Sequence, residues 1–360
     1  MLSDREPRVG SSGGPPTRWQ VASRLVLWHS LAAMQTPNQN PSRATTKPCA
    51  SSPAEPRMRR REFLRRTALA AGLVALTGPW LRAEESQPRR FDPFETVTLG
   101  KSGIRTSRFS LGTGMRGGNR QSNHTRMGRE KLQALIRESY ERGTRLFDLA
   151  DLYGTHPYLI PALEGVPRDR YQIVTKIWFR PGGIPEPERP DADVVVERFL
   201  RELKTDYIDL VLLHCVTSPN WPRELSKQME ILARLKEKGI IRAHGVSCHS
   251  LEALKAAAEE PWVDSVHARI NPFQMSMDGP PDEVVPVLRK IKAAGKGIVG
   301  MKLVGEGRLR NDPDKRDESI RFVLGLGCVD VMTVGCETIQ EVDDFTERVR
   351  KVPRPAQAAA

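Results

Sequence analysis

QIVTKIW at residues 172–178, DVVVERFLRELK at 193–204 and IDLVLLHC at 208–215 decide the fold. The outer two are short β-branched runs, and the middle one repeats its apolar residues every three or four positions, so the segment reads strand, helix, strand. Strands joined through a helix pair in parallel, because a tight hairpin joins only antiparallel ones. The rhythm continues in both directions. Strand-like runs stand at 108–114 (RFSLGTG), 144–150 (TRLFDLA), 241–247 (IRAHGVS), 263–271 (VDSVHARIN), 297–304 (GIVGMKLV) and 329–335 (VDVMTVG). Helical patterns cover 131–142, 225–238, 251–260, 281–294, 318–327 and 338–350, with a weak one around 158–163. Eight strand and helix units in about 250 residues predict an α/β fold, a (β/α)8 TIM barrel. A short N-terminal β-hairpin, TVTLGKSGIRTS at 96–107, precedes it. An open dinucleotide-binding sheet is set aside on the reading that no glycine fingerprint joins a strand to a helix.

The formal charge of +12 points first to nucleic acid or a membrane surface, so its distribution matters. Residues 1–90 carry 15 Lys+Arg against 6 Asp+Glu, leaving 41 against 38 for the remainder. The basic excess thus belongs to the N-terminal segment. The body lacks a basic stripe interleaved with aromatics, and no nucleic-acid partner is expected. Five cysteines, Cys49, Cys215, Cys248, Cys328 and Cys336, form no CxxC pair. Neither a zinc site nor a disulfide framework is signalled, and the four in the body are expected to pack as small hydrophobes. His244, Cys248 and His249 are the nearest approach to a metal set, but alternation along a strand separates their faces and no metal is expected.

MRRREFLRR at 58–66 precedes fifteen uncharged residues, TALAAGLVALTGPWL at 67–81. A basic cluster before a short apolar run is the layout of a signal peptide. As a helix the run would reach about 22 Å at 1.5 Å per residue, and Gly78-Pro79 interrupts it, so a stable membrane span is not expected. Arg60-Arg61-Glu62-Phe63-Leu64 resembles the twin-arginine export motif, which implies the twin-arginine machinery as a partner and a periplasmic or membrane-anchored location. Unused, the segment is a solvated basic helix and the protein cytoplasmic. Leu81-Arg82-Ala83 is a poor cleavage site, which leaves an uncleaved anchor open. Residues 1–57 are rich in Ser, Pro, Gly and Asn without an apolar period, so disorder is expected there and Met58 is expected to be the initiator. A linker at 84–95, the barrel at 96–350 and a tail at 351–360 complete the chain.

Barrel enzymes build their sites at the C-terminal ends of the strands. FDLADLYG at 147–154 ends an apolar strand in two aspartates and a tyrosine, and buried charge needs a partner. Side chains alternate along a strand, so Asp148 faces the barrel interior with Leu146 and Ala150. The next strand sends Lys176 inward with Gln172 and Val174, and the one after sends His214 inward at its end. Separately, His214 reads as a core residue and Lys176 or Tyr153 as a snorkelling rim residue. Together they permit proton delivery to a carbonyl oxygen: Tyr153 as the acid, Lys176 lowering its pKa, Asp148 keeping Lys176 charged, and His214 bonding the substrate oxygen. Asp151 is expected at a surface or in a turn.

These residues, with TLGKSGIRTSRFSLGTG (98–114), GTRLFDLADLYG (143–154), YQIVTKIW (171–178), TDYIDLVLLHC (205–215), GIIRAHGVS (239–247) and VGCETIQEVDD (334–344), resemble the aldo-keto reductases. The resemblance implies NAD(P)H-dependent reduction of a small carbonyl substrate, with Asp148, Tyr153, Lys176 and His214 as the catalytic tetrad. It also implies cofactor contacts. Ser247 matches a serine that binds the nicotinamide amide, while Cys248 stands where an asparagine is usual, His267 where a glutamine is usual, and Met301 where an aromatic stacks on the nicotinamide. VGEGRLR at 304–310 offers backbone amides to a pyrophosphate, with Arg308 or Lys302 countering its charge, and the helix starting near Thr338 offers its N-terminus. Glu337, Glu341, Asp343 and Asp344 stand where NADP enzymes carry basic residues, so NADP and NAD both stay open. Specificity is expected in the loops 179–190 and 216–222, where Trp178 and Trp221 either line the pocket or simply pack. A Schiff-base enzyme using Lys176 or Lys302, and a nucleotide-sensing barrel with little turnover, are the alternatives. Substrate and oligomeric state are left open.

Overall fold

In the computed structural model the described residues are 89–355. The stretch 1–57, the signal-like segment 58–83 and the start of the linker lie outside them. An antiparallel hairpin, β1 (Thr96–Thr98) and β2 (Arg105–Ser107), comes first. Eight parallel strands follow and close on themselves: β3 (Phe109–Gly112), β4 (Leu146–Asp148), β5 (Gln172–Ile177), β6 (Ile208–Val216), β7 (Ile241–Cys248), β8 (Ser265–Arg269), β9 (Gly297–Met301) and β10 (Val331–Val334). Sequence order is kept around the ring, and β10 pairs with β3 to close it.

A helix of the outer layer follows each barrel strand: α1 (Arg129–Arg142), α2 (His156–Ala162), α3 (Ala192–Leu203), α4 (Ser226–Glu237), α5 (Leu251–Glu259), α6 (Pro281–Ala293), α7 (Pro313–Gly325) and α8 (Ile339–Lys351). The barrel and hairpin expected from the sequence are therefore present. Helix α7 starts five residues earlier than its apolar pattern suggests. Its first turn is polar and is set by local chemistry instead: the Asp312 side chain accepts from the Lys315 N–H at 3.0 Å, and Pro313 sits in the first turn, where its missing N–H costs nothing.

Two apolar layers hold the ring. Between strands and helices lies the larger one, which includes Phe109, Phe147, Ile173, Phe199, Leu213 and Phe345. Inside the barrel, Leu146, Val174, Leu210, Leu212, Ala243, Val299 and Val331 pack with Leu99 and Ile104 from the hairpin. The hairpin thus plugs the N-terminal mouth, burying Leu99 completely.

At that mouth a device recurs on alternate strands. Asp209 accepts from the Ile173 N–H at 2.9 Å, Asp264 from the His244 N–H at 3.0 Å and Asp330 from the Ile298 N–H at 2.9 Å. Each aspartate satisfies a backbone donor near the start of the preceding strand, and each also bonds a cation: Arg168 and Arg242, Lys236, and Lys292 respectively. Unpaired buried N–H groups are costly, so these acids pin neighbouring strands in register. Asp209 is fully buried. Asp209→Ala is expected to lower the unfolding free energy by about 2–3 kcal/mol, since it strands a buried donor and two guanidinium partners. Urea denaturation checks this, and an unchanged midpoint would refute the role.

Candidate active site

Strand β4 ends at Asp148, and the barrel register explains what meets it there. Asp148 lies opposite Val174 on β5, and Lys176 lies opposite Leu212 on β6. Each step around the ring climbs two residues, so Asp148, Lys176 and His214 share the C-terminal rim. Lys176, 1% exposed, ion-pairs with Asp148 and donates to the Leu149 carbonyl at 2.9 Å. Thr333 on β10 donates to the other carboxylate oxygen at 3.1 Å. After β4 the chain makes one tight turn, Asp151–Tyr153, which carries Tyr153 over the pair. The Lys176 ammonium lies 4.9 Å from the centre of its ring, and its hydroxyl lies 3.3 Å from His214 Nε2. The four predicted residues are thus brought together.

Asp151 departs from expectation. It is buried, not a surface residue, because Arg198 of α3 reaches it at 2.6 Å and Arg120 at 2.8 Å. Those two arginines anchor the turn that carries Tyr153. GTGMRG at 112–117 has the GxGxxG spacing that the sequence reading passed over, and no helix opens there. Gly114 and Gly117 instead leave room for a ring: a Cβ on either would collide with Tyr153.

Burial works to raise the Asp148 carboxyl, but Lys176 and then His267 outweigh it and hold the group well below the usual carboxylate range. Burial lowers Lys176, with Asp148 opposing. Tyr153 behaves contrary to the sequence expectation. Burial, followed by the Asp148 charge, pushes its phenol well above the ordinary value. Lys176 bonds Asp148 and the Leu149 carbonyl and faces the ring, not the hydroxyl, so it does not offset burial and the Asp148 charge. Burial and the Lys176 charge push His214 well below its ordinary value, which keeps the imidazole neutral.

An open cleft runs from the tetrad toward β10 and α8. Gly112 to Met115, Met301, Lys302, Glu306, Gly335 and Glu341 line it together with Asp148, Tyr153 and Lys176. Met301 and Lys302, expected near the cofactor, both line the cleft. Ser247 is buried with no partner for its hydroxyl among the described residues, an unmet hydrogen bond that suits a nicotinamide amide. Three expected cofactor contacts fall elsewhere. Cys248 alternates away from Ser247 and packs in the outer apolar layer. His267 is fully buried with Nε2 3.2 Å from Asp148 Oδ2, not aligned for a hydrogen bond, so it buttresses the ion pair. Arg308 is exposed and lies outside the cleft, whose lining includes Arg310 and Arg316.

Both of those arginines are already paired. Arg310 bonds Glu337 and Glu341 at 2.9 Å each, and Arg316 bonds Asp344 at 2.6 Å. The acids noted in the sequence do lie at this end, and the cations that answer them come from the loop after β9 and from α7. Nothing in their spacing announces the pairing, which is a long-range contact.

Cys215 was also missed. With His214 inward, alternation would send it outward, but β6 slips register between Leu213 and Val216 and Cys215 takes φ +64°. The bulge keeps it out of the outer layer that holds Cys248, Cys328 and Cys336. Trp178 stacks edgewise on His214 with ring centres 5.3 Å apart, whereas Trp221 is buried against Trp262 and is packing. His244 stacks on Trp262 at 4.1 Å while His249 faces His214 at 6.4 Å, so the residues weighed as a metal set do not converge.

The sequence profile of the Aldo/keto reductase family matches residues 108–350. Aldo-keto reductase AFTS1 of Alternaria alternata is 27% identical over 259 residues, covering 63% of this chain and 69% of that protein. An NADH-specific methylglyoxal reductase of Escherichia coli K12 is 26% identical over 213 residues, covering 54% of this chain and 63% of that protein. Aldo-keto reductase AKR11C1 of Bacillus halodurans, solved in its holo form, superposes with a TM-score of 0.58 over 73% of this chain and 93% of its own, at 22% identity, a likeness of fold. With the profile spanning the whole barrel, the chain belongs to the aldo/keto reductase family, a family of NAD(P)-dependent oxidoreductases.

Proposed function

We propose that the protein reduces an aldehyde, ketone or sugar-like carbonyl with Tyr153 as the proton donor. The observation that carries this is the Tyr153 hydroxyl 3.3 Å from His214 Nε2, above a buried Lys176–Asp148 pair and at the head of the cleft. Bound nicotinamide supplies hydride to the carbonyl carbon. Tyr153, neutral because its pKa is raised, gives its O–H proton to the carbonyl oxygen as charge develops there. His214, also neutral, hydrogen-bonds the same oxygen through Nε2 and orients it. The Lys176 charge beneath the ring steadies the phenolate left behind. Ser247 meets its missing hydrogen bond on the carboxamide of the nicotinamide. Lys176 is poorly placed for Schiff-base chemistry, since its buried amine is turned onto Asp148 and the Leu149 carbonyl. Lys302 is likewise engaged by Glu306 at 2.8 Å.

For the nucleotide, the acids at the far end of the cleft favour NADH. A 2′-phosphate would compete with Glu341 and Asp344 for arginines they already hold, whereas a free 2′-hydroxyl can donate to a carboxylate. Residues 58–81 support export by a twin-arginine-type route, which fractionation of cells making the full chain would test.

Fluorescence titration of the full chain is expected to give binding of both nucleotides, with NADH at least as tight as NADPH. Tyr153→Phe is expected to retain nucleotide binding while losing carbonyl reduction by roughly 100-fold or more. Gly114→Ala should do the same by displacing the ring. Tight binding without turnover in the wild-type chain would select the sensing alternative. In the wild type, kcat/KM for reduction should show no break near the ordinary imidazole value of 6.5, because His214 titrates well below it. It should also show no fall near the ordinary phenol value of 10.0, because the acid form of Tyr153 persists above it. A break at either value, measured across that span, would overturn the assigned protonation states.

A further inference from the structure

Beside the tetrad a second group of side chains gathers around His214, sharing Lys302 and Glu306 with the lining of the cleft. Trp178 and His249 flank its ring. Arg180 lies 5.8 Å from the Trp178 ring, and its charge is felt at the Cys215 thiol. Arg269 and Lys302 complete the ring of cations. Two acids answer them: Asp278 pairs with Arg269, and Glu306 pairs with Lys302. Three cations against two acids leave one net positive charge, and it belongs to Arg180. Among the described residues no carboxylate lies within ion-pair distance of Arg180, which is exposed at the start of the loop 179–190.

The neighbouring groups register that charge. Burial, then Arg269, Lys302, Arg180 and Lys176, push His249 down to about 3, with no acid among the principal influences. Burial raises the Cys215 thiol while Arg180, Arg269 and Lys302 pull it back. The backbone is bent to suit: Cys215 and Lys302 both adopt φ +64°, a conformation that costs a non-glycine residue about 1–3 kcal/mol and persists where surrounding structure enforces it. The bulge in β6 keeps Cys215, the residue after His214, out of the outer apolar layer.

We propose that the carbonyl substrate carries an oxyanion, a carboxylate or a phosphate, which Arg180 binds beside His214 while the carbonyl oxygen sits between Tyr153 and His214. This rests on the reductase reading above and adds the substrate class. A planar guanidinium with free N–H groups suits such a group, and the Trp178 face that backs it limits how it can turn. Arg269 and Lys302 strengthen the field without being free to bind.

Matched substrates test it. Reduction of 4-formylbenzoate is compared with 4-formylbenzamide, succinic semialdehyde with butanal, and glyceraldehyde 3-phosphate with glyceraldehyde, each with saturating nucleotide. The anionic member of at least one pair should have kcat/KM greater by about tenfold, the size of one charge-assisted hydrogen bond. A preference in the first two pairs identifies a carboxylate, and one in the third a phosphate. The ratio should shrink as salt is raised to about 0.5 M, should fall toward one in Arg180→Gln, and should survive in part in Arg180→Lys. Equal kcat/KM within all three pairs would overturn the proposal while leaving the reductase intact. A preference unchanged in Arg180→Gln would overturn the assignment to Arg180. If none of the six compounds is reduced with either nucleotide, the reductase reading itself falls and takes the substrate class with it.

Discussion

The ion pair between Lys176 and Asp148 is the constraint around which the active end of the barrel is arranged. Each ion alone would pay several kcal/mol to leave water, and only close pairing with further hydrogen bonds makes burial tolerable. Here the Leu149 carbonyl and Thr333 hydroxyl take up the remaining capacity, and His267 fills the space beneath. The pair can form only if β4 and β5 keep their register, since a one-residue slip would turn Asp148 or Lys176 into the helix layer. Tyr153 and His214 then occupy the space above it. Chemistry and fold are thus coupled through one contact.

The two ends of the barrel divide the work. At the N-terminal mouth, Leu99 and Ile104 plug the interior, and Asp209, Asp264 and Asp330 tie strand starts together. These acids satisfy strand N–H groups there, while Thr106, Gln172 and Ser265 each keep a buried polar atom without a partner among the described residues. At the C-terminal end Ser247 keeps an unmet hydroxyl and His214 an unpartnered Nδ1 among the described residues. Left-handed backbone at Arg116, Arg120, Cys215, Lys302 and Glu306 likewise falls in the loops and strand ends of this rim. A rim that gathers left-handed backbone around a buried ion pair has a claim to be the functional one, and the apolar plug and strand-tying acids opposite supply stability that offsets the strain.

Charge on this rim is organised in two regions. Toward α8, arginines and acids pair off and leave the cleft nearly balanced, which suits a nucleotide whose phosphates are held largely by backbone amides. Around His214 the balance tilts positive because Arg180 has no acid of its own among the described residues. The two regions meet at Asp148, Tyr153, Lys176 and His214.

How much of this was legible in the sequence depended on the range of the interaction. Period-two and period-3.6 patterns are local, so the eight strands, their helices and the inward faces of Asp148, Lys176 and His214 could be read directly, and with them the tetrad. Helix α7 shows the limit: a polar first turn hides behind an apolar pattern, although its Asp-Pro cap was there to be seen. What sequence could not reveal were contacts between distant segments. Asp151 is buried because Arg198, 47 residues away, meets it. Arg310 and Arg316 reach the cleft because the loop after β9 and α7 fold back toward α8. Cys215 faces the site only because a bulge in β6 breaks the alternation on which the reading relied. The pKa of Tyr153 went the same way: the residue types suggested a phenol acidified by lysine, but burial and the direction of the Lys176 protons decided otherwise. Sequence alone determined which side chains line the barrel, because alternation is a property of one strand; tertiary structure decided which of them touch and how their charges balance, because those depend on strands and loops that only folding brings together.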